Sequence, residues 1–390
     1  MFALDGVRVL ALENGISAPL CTRLLGDFGA EVVKVERPEI GDVNRHWDQA
    51  VNGYSSSHVW VDRNKQSLEL DLKSDEGHEI FMELAELADV IVQNFSPGVV
   101  DRLGIGYDDI ETINEDVIYV NISGYGDDGP YRDRKAYDLV MQGETGLIRM
   151  TGTPESPAKI PLSLCDISAG TYGALGTLNA LYHRAVNGEG QEVNVSMFSS
   201  VLSWLGVFPH KYWHQGELPK RVGMRHHILT PYGPHLTADD EYISFACLSE
   251  EHFEIFCTEV IERPDLLEEP KFETNEKRLD NREEFEPIVE EEIKQEPRDY
   301  WIEKLQDAQL PWGDVNQIDD VVNHPQVEAL DLVKEFEKNG ESFKFIDNPV
   351  EMSASELRRE PMPELGEHTA EILAELGYDE GVIEQLVAED

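Results

Sequence analysis

An α/β fold with a parallel sheet covered by helices on both faces is what the first half of this sequence predicts. Two observations carry that reading. Strand-like and helix-like segments alternate from residue 7 to residue 122, and from Glu250 to Glu303 the chain turns densely acidic and helical, which marks a smaller second domain. In order, Val7 to Leu12 reads as a buried strand, Pro19 to Phe28 as a helix stopped near Gly29, and Glu31 to Glu36 (EVVKVE) as a second strand. Ser74 to Ala88 is an amphipathic helix with Ser74 as its N-cap, followed by strands at Val90 to Gln93 and Val117 to Ile122, the latter ended by Ser123-Gly124. Ala169 to Arg184 is a long helix rich in Gly and Ala, spaced for close helix packing. Glu250 to Glu303 has few apolar positions, so the second domain is expected to be exposed. Leu365-Gly366-Glu367-His368-Thr369 leads a last helix that ends at Gly377. A chain of 390 residues holds two or three domains with ample core. The expected boundaries are 1–205 for the first part of the large α/β domain and 206–224 for a linker. A small acidic α+β domain then takes 225–315, and 316–390 forms a linker and a return to the large domain.

Charge excludes whole classes of function. With 78 Asp+Glu against 32 Lys+Arg the formal charge is -46, so the surface field repels nucleic acid and anionic membranes alike. Apolar residues make up 41%, enough for a core, so the acidity is not a sign of disorder. It reads as a hydrated acidic surface suited to concentrated salt, the signature of a halophilic cytoplasm. Cys21, Cys165, Cys247 and Cys257 are far apart with no CxxC pair, which suits neither zinc nor a disulfide framework and fits a reducing cytosol. Met1 runs into FALDGVRVLAL without a basic leader region, and the longest apolar stretch, Val201 to Phe208, is too short to span a bilayer. A soluble cytoplasmic protein is expected.

The common motifs are missing. Glu13-Asn14-Gly15-Ile16-Ser17-Ala18-Pro19 after the first strand is not GxGxxG, no GxxxxGK[ST] occurs, and Glu36 alone does not make a ribose site. His210, His214 and the pair His226-His227 lack HExxH or any converging ligand pattern, so no metal is expected. There is no GxSxG elbow, and Cys165 has no basic neighbour, which makes it a buried structural thiol. Asp166 closes the apolar run Ile160 to Cys165 and opens a helix with Ser168, Ala169, Gly170 and Gly173 in its first turns. It either caps that helix or, with small residues letting a bulky ligand approach, serves as a catalytic carboxylate. Lys34, Arg37, Lys73, Arg102 and Lys135 are scarce cations placed at strand ends. They are either ordinary surface ion pairs or a local site for a polyanionic small molecule.

Taken together, these segments resemble the class III CoA-transferases. The stretches that carry the resemblance are GAEVVKVERPEIGDVNR (29–45), RNKQSLELDLKSDEG (63–77), ADVIVQNFSPGVVDRLGIGYD (88–108) and ISGYGDDGPYRDRKAYDLVMQGETG (122–146). LCDISAGTYGALGTLNALYHRAVNGEGQEVNVSM (164–197) and LGEHTAEILAELGY near the end complete them. The resemblance implies an interlocked homodimer with a Rossmann-like large domain built from both ends of the chain and a smaller central domain. It makes Asp166 the match to the catalytic aspartate. CoA contacts carry over to Ile16, Ser17 and Arg37, to Leu70, Asp71, Leu72 and Lys73, and to Asn94, Phe95 and Ser96. They also carry over to Arg102 and to Lys135, Ala136, Tyr137 and Asp138. Acyl-CoA and small carboxylic acids are the implied partners, CoA thioesters acting as substrates with no permanently bound cofactor. The implied chemistry runs through an aspartyl anhydride and an aspartyl-CoA thioester, with backbone N–H groups near the glycine-rich turns as oxyanion donors.

Two departures narrow the activity. The family's racemases have a His immediately before the aspartate of the motif matching Ala136-Tyr137-Asp138; Tyr137 here removes one of the two bases a racemase needs. The formyl-CoA transferases have a run of glycines in the region matching Trp213 to Met224, where this chain has only Gly216 and Gly223. Arg221, Arg225, His226 and His227 are candidates for holding the distal carboxylate of a dicarboxylic acid, beside ordinary surface roles. The expected reaction moves CoA from succinyl-CoA to mesaconate. Its alternatives are another acceptor (malate, itaconate, formate or oxalate, carnitine), acyl-CoA racemisation, or a CoA-binding protein without catalysis.

Overall fold

The computed structural model describes residues 1–381 and 383–384, which divide into two compact units. The first unit, from Met1–Thr145, Ile160–Val207 and Glu328 onward, is built on a six-stranded, wholly parallel sheet. Its strands are β1 (Arg8–Leu12), β2 (Glu31–Glu36), β3 (Lys65–Glu69), β4 (Val90–Gln93), β5 (Ile118–Ser123) and β6 (Gln191–Ser196), ordered β3-β2-β1-β4-β5-β6. The central strands are continuous apolar runs because both faces are covered: Val9, Leu10, Ala11, Leu12, Val90, Ile91 and Val92 are all buried. The chain direction across the sheet reverses between β1 and β4, and in such sheets ligands bind in the crevice at the carboxyl ends of the strands flanking that point.

Helices α1 (Ser17–Asp27), α2 (Asp75–Leu87), α3 (Asp138–Glu144), α4 (Leu164–Asn187) and α5 (Met197–Trp204) belong to this unit. The Ser74 hydroxyl caps α2 by accepting from the Gly77 N–H, as its sequence predicts. Helix α4 is longer than expected and lies along α1. A side chain on Gly170 would come within 2.4 Å of the Ser17 carbonyl oxygen, and one on Gly173 within 2.8 Å of Ile122. The small residues near Asp166 therefore serve the approach of two helices and do not open space for a ligand. Gly170→Ala is expected to cost about 1–3 kcal/mol, read as a shift in the unfolding midpoint, because backbone cannot give way as a side-chain tip would.

The second unit, Gly146–Lys159 and Phe208–Val327, carries the antiparallel sheet β7 (Tyr232–Leu236), β8 (Tyr242–Ala246), β9 (Trp312–Asp314). It takes in 146–159, a stretch the sequence boundaries assign to the large domain. There Gly223 N–H bonds the Gly152 carbonyl, and Arg221 bonds the carbonyls of Thr153 and Pro154. The acidic helices are less bare than their composition indicates. Phe253, Phe256, Phe272, Phe285, Val289, Ile293, Trp301 and Leu305 are buried in one cluster, each helix burying a single narrow face. His235 is also buried here, stacked on Phe245 at 4.7 Å, with both ring nitrogens unpartnered. Burial, and then the charge of Arg225, hold it well below the usual His value. The folded state thus keeps His235 neutral while the unfolded chain takes up a proton below its ordinary value of 6.5. Stability from this group is complete above that pH and is lost as pH falls below it. His235→Phe is expected to gain on the wild type in thermal scans between pH 7 and pH 5; a constant difference would contradict this.

The chain after Glu328 returns to the first unit. Strands β10 (Val333–Lys338) and β11 (Glu341–Ile346) form a hairpin over Val59 and Met362, and α6 (Thr369–Glu375) buries Ile372 and Leu373 in the core beneath α2. His368 N–H bonds the Ser67 carbonyl, and Glu69 N–H bonds the Thr369 hydroxyl, closing the β3 edge. No described helix is long and apolar enough to cross a membrane.

Candidate active site

The positions marked by the resemblance fall at the carboxyl ends of successive strands of one sheet. Ile16 and Ser17 follow β1, Arg37 follows β2, Leu70 to Lys73 follow β3, Asn94 to Ser96 follow β4, and Lys135 to Tyr137 lie between β5 and α3, which Asp138 opens. Arg102 sits on the short helix Val99–Leu103. The loops after β1 and β4 are tied together where the strand order reverses. Asn14 N–H donates to Asn94 Oδ1 (2.9 Å), and Asn94 Nδ2 donates to the Asn14 carbonyl (2.8 Å) and the Ser17 hydroxyl (3.3 Å). At the end of β5, Gly124 lets the next segment close in: a side chain there would stand 2.2 Å from Ala136 Cβ.

The cations divide into two kinds. Arg37, Lys73, Arg102 and Lys135 are exposed, and among the described residues none of their side chains has an ion-pair or hydrogen-bond partner. On a chain of charge -46, four exposed cations without a partner stand out, and each is of the kind that attracts an anion. Lys34 is different and corrects the sequence expectation. Its side chain is wholly buried, with Nζ 2.7 Å from Asp42, 2.8 Å from Asp62 and 3.6 Å from Glu13. Lys65 joins it, 2.6 Å from Glu13 and 3.0 Å from Asp62. Burial alone would raise the Asp62 carboxyl, but Lys34, Lys65 and His58 outweigh it and hold the group well below the usual range. Glu36, the weak ribose candidate, is spent on a two-pronged pair with Arg45 (2.8 and 2.6 Å) and a bond from the Ser67 hydroxyl.

This buried cluster holds the loop after β1. Asp42 accepts the Gly15 N–H (2.9 Å), and Asn44 donates to the Gly15 carbonyl (3.2 Å) and to Asp62 (2.9 Å). Gly15 has φ +76°, a conformation glycine adopts freely. Asp42 and Asn44 escaped sequence reasoning. Their one signal is two polar residues soon after a strand, and only their convergence with Glu13, Lys34 and Asp62 in space gives that signal meaning.

Asp166 is the third residue of α4, and its carboxylate has no hydrogen-bond or ion-pair partner among the described residues. Burial, and next the negative charge of Asp138, push it up to about 7. The capping role considered from sequence is taken instead by Asp138, whose Oδ1 accepts the Cys165 N–H (2.9 Å) while Ser163 makes no side-chain cap. The Cys165 thiol is buried, and burial and then Asp138 raise it far above its ordinary value, so it is no nucleophile. A half-buried carboxylate free of partners that ionises only near pH 7 is chemically a poised nucleophile or base.

In the second unit, Arg225 pairs with Glu286 and Glu290 and bonds the Pro234 carbonyl, and Arg221 is held by three carbonyls. His226 stacks on Tyr232 at 4.6 Å and His227 packs on Phe208. The two arginines are thus engaged within that unit, and the distal-carboxylate role considered for them has no support there. No cluster of three or more His, Cys, Asp or Glu among the described residues is arranged to hold a metal.

A family model described as CoA-transferase family III matches residues 4–369. A succinyl-CoA:glutarate CoA-transferase from Homo sapiens is 33% identical over 99% of this chain and 89% of its own. A succinyl-CoA:mesaconate CoA-transferase from Haloarcula marismortui is 33% identical over 98% of both chains. The crystal structure of a CAIB/BAIF family protein from Brucella suis superposes with a TM-score of 0.85 at 32% identity, covering 96% of this chain and 99% of that one.

Proposed function

The chain belongs to CoA-transferase family III, and on that premise we propose that it moves CoA from succinyl-CoA to a dicarboxylic acid, mesaconate, with Asp166 as the covalent nucleophile. The observation that carries the mechanism is the Asp166 carboxylate, partly buried, free of partners and raised by burial and then by the charge of Asp138. Its oxygen attacks the thioester carbonyl, the C–S bond breaks, and CoA thiolate leaves a mixed anhydride on the protein. The thiolate then attacks the aspartyl carbonyl and expels the donor acid, giving an aspartyl-CoA thioester. The acceptor carboxylate repeats the first exchange, and the thiolate takes up the new acyl group and frees Asp166. An anhydride keeps the activation of the thioester, which a serine ester would lose, provided water is excluded. Arg37, Lys73, Arg102 and Lys135 hold the CoA phosphates in this reading, and Ile16, Ser17 and the loops at 70–73 and 94–96 line the rest of the cofactor.

The dicarboxylate reading is supported by the relatives named for glutarate and mesaconate, and mesaconate by two relatives that each match over 98% of both chains. An assay in molar KCl with succinyl-CoA and a panel of mesaconate, glutarate, malate, itaconate, formate, oxalate and carnitine tests it. Mesaconyl-CoA as the main product is expected; turnover only with another acid keeps the mechanism and discards this acceptor.

Two further parts of the reading rest on surface character. Leu175, Tyr182, Val186, Leu202 and Trp204 are exposed on α4 and α5, an apolar face of the kind that association covers, and a homodimer is the proposed state. The charge of -46 supports a salt-rich cytoplasm as the setting.

A further inference from the structure

We propose that Gln142 is a positioning residue of this active site, acting on Asp166 through Asp138. The inference deepens the transferase reading and rests on it for its catalytic consequence, though not for its structural one.

Gln142 lies in the middle of α3 and is fully buried. Its amide is used completely. The two N–H bonds are spread over Asp138 Oδ2 (2.7 Å) and the carbonyls of Ile160 (3.1 Å) and Leu162 (3.3 Å), while its carbonyl accepts the Ile160 N–H (2.9 Å). One side chain therefore does two things. It tethers the bend at 160–162 that leads into α4, and it fixes one oxygen of Asp138 so that the other meets the Cys165 N–H, one residue before Asp166. Asp138 and Gln142 are four residues apart on one helix face, so α3 sets their spacing.

The link has an electrical consequence. Donors on both oxygens hold the Asp138 carboxylate in place, and its negative charge, second to burial, raises the Asp166 carboxyl. The other ionisable group at this point is the Cys165 thiol, which is neutral. Helix α1, packed along α4, turns Ser17, Leu20 and Cys21 toward it, and Cys21 is influenced by Glu13 and Lys65. Without Gln142, Asp138 loses a donor and is free to turn from the end of α4, carrying its charge away from Asp166. Asp166 then ionises more readily and loses its fixed aim.

The test measures carbodiimide-promoted coupling of glycinamide to Asp166 against pH, read by peptide mass spectrometry, in the wild type, Gln142→Met, Asp138→Asn and the double variant. It needs no substrate. Gln142→Met is expected to lower the coupling midpoint by about half a unit or more, Asp138→Asn to lower it at least as far, and the double variant to add nothing to Asp138→Asn. With succinyl-CoA, Gln142→Met is expected to lower kcat about 10- to 100-fold with KM within about twofold. An unchanged midpoint in folded Gln142→Met, or additive shifts in the double variant, would overturn the link. Should Gln142→Met not fold, an unchanged midpoint in Asp138→Asn overturns it equally. A protein that shows the midpoint shifts but transfers no CoA sinks the transferase reading and leaves the link standing.

Discussion

Asp166→Asn is expected to abolish CoA transfer while making the folded protein more stable at neutral pH. The loss of turnover follows from removing the group that carries the acyl and CoA intermediates, and should be at least about 10⁴-fold. The gain follows from the raised proton affinity. Burial and Asp138 move Asp166 from 3.8 to about 7, so between these values the folded state holds a proton that the unfolded chain has released. Above pH 7 the folded protein carries an ionised group where ionisation is disfavoured, a cost of up to about 4 kcal/mol at about 1.4 kcal/mol per unit. The stability difference between variant and wild type should therefore be near zero at about pH 4, grow to pH 7, and then level off. The same shift gives the activity its pH dependence. The nucleophile is the carboxylate, so kcat/KM should be about tenfold lower at pH 6 than at pH 8, which initial rates against pH would show. A variant that is less stable than the wild type at pH 8 would contradict this account.

Lys34→Met is the second large effect, and it acts on folding. The substitution leaves Asp42, Asp62 and Glu13 facing one another with Lys65, His58 and the more distant Arg45 near them, in a place water does not reach. Removing one partner of a buried ionic group costs about 3–5 kcal/mol, because the remaining charges keep their desolvation penalty. Chemical denaturation should show a loss of that size, and it should persist in molar KCl, since buried pairs are screened little. A loss below about 1 kcal/mol would mean the cluster is not what holds the β1 end. The variant should also weaken CoA binding, because Asp42 is what fixes the Gly15 N–H.

Which parts of this molecule can be read from sequence follows from where polar residues are used. β1, β2, β4 and β5 stand out because they are covered on both faces and each carries several Val, Ile or Leu residues, with Lys34 and Glu36 as buried charged exceptions in β2. The two edge strands do not. β3 (KQSLE) buries Lys65 and Ser67 to serve the ionic cluster and the C-terminal return, and β6 (QEVNVS) alternates polar residues outward. In the second unit, Phe285, Val289 and Ile293 follow a four-residue spacing that the surrounding glutamates obscure. Asp166 stood out at its helix start, and the cations at positions 37, 73, 102 and 135 stood out against the acidic background. Lys34 looked like one of them. Its role depends on Glu13, Asp42 and Asp62 meeting across three loops, which no local pattern encodes. Gln142 was legible in principle, as a Gln four residues after an Asp on a short helix, but its use depends on the segment at 160–162.

The measurement that bears most directly on the central claim is the mass of the protein after incubation with succinyl-CoA and hydroxylamine. A family III transferase working through Asp166 becomes trapped as the hydroxamate of that residue, localised by peptide mapping, and CoA thiol is released in step with the label. An unmodified Asp166, with succinyl-CoA bound but intact, would contradict the covalent mechanism and leave the chain a CoA-binding protein.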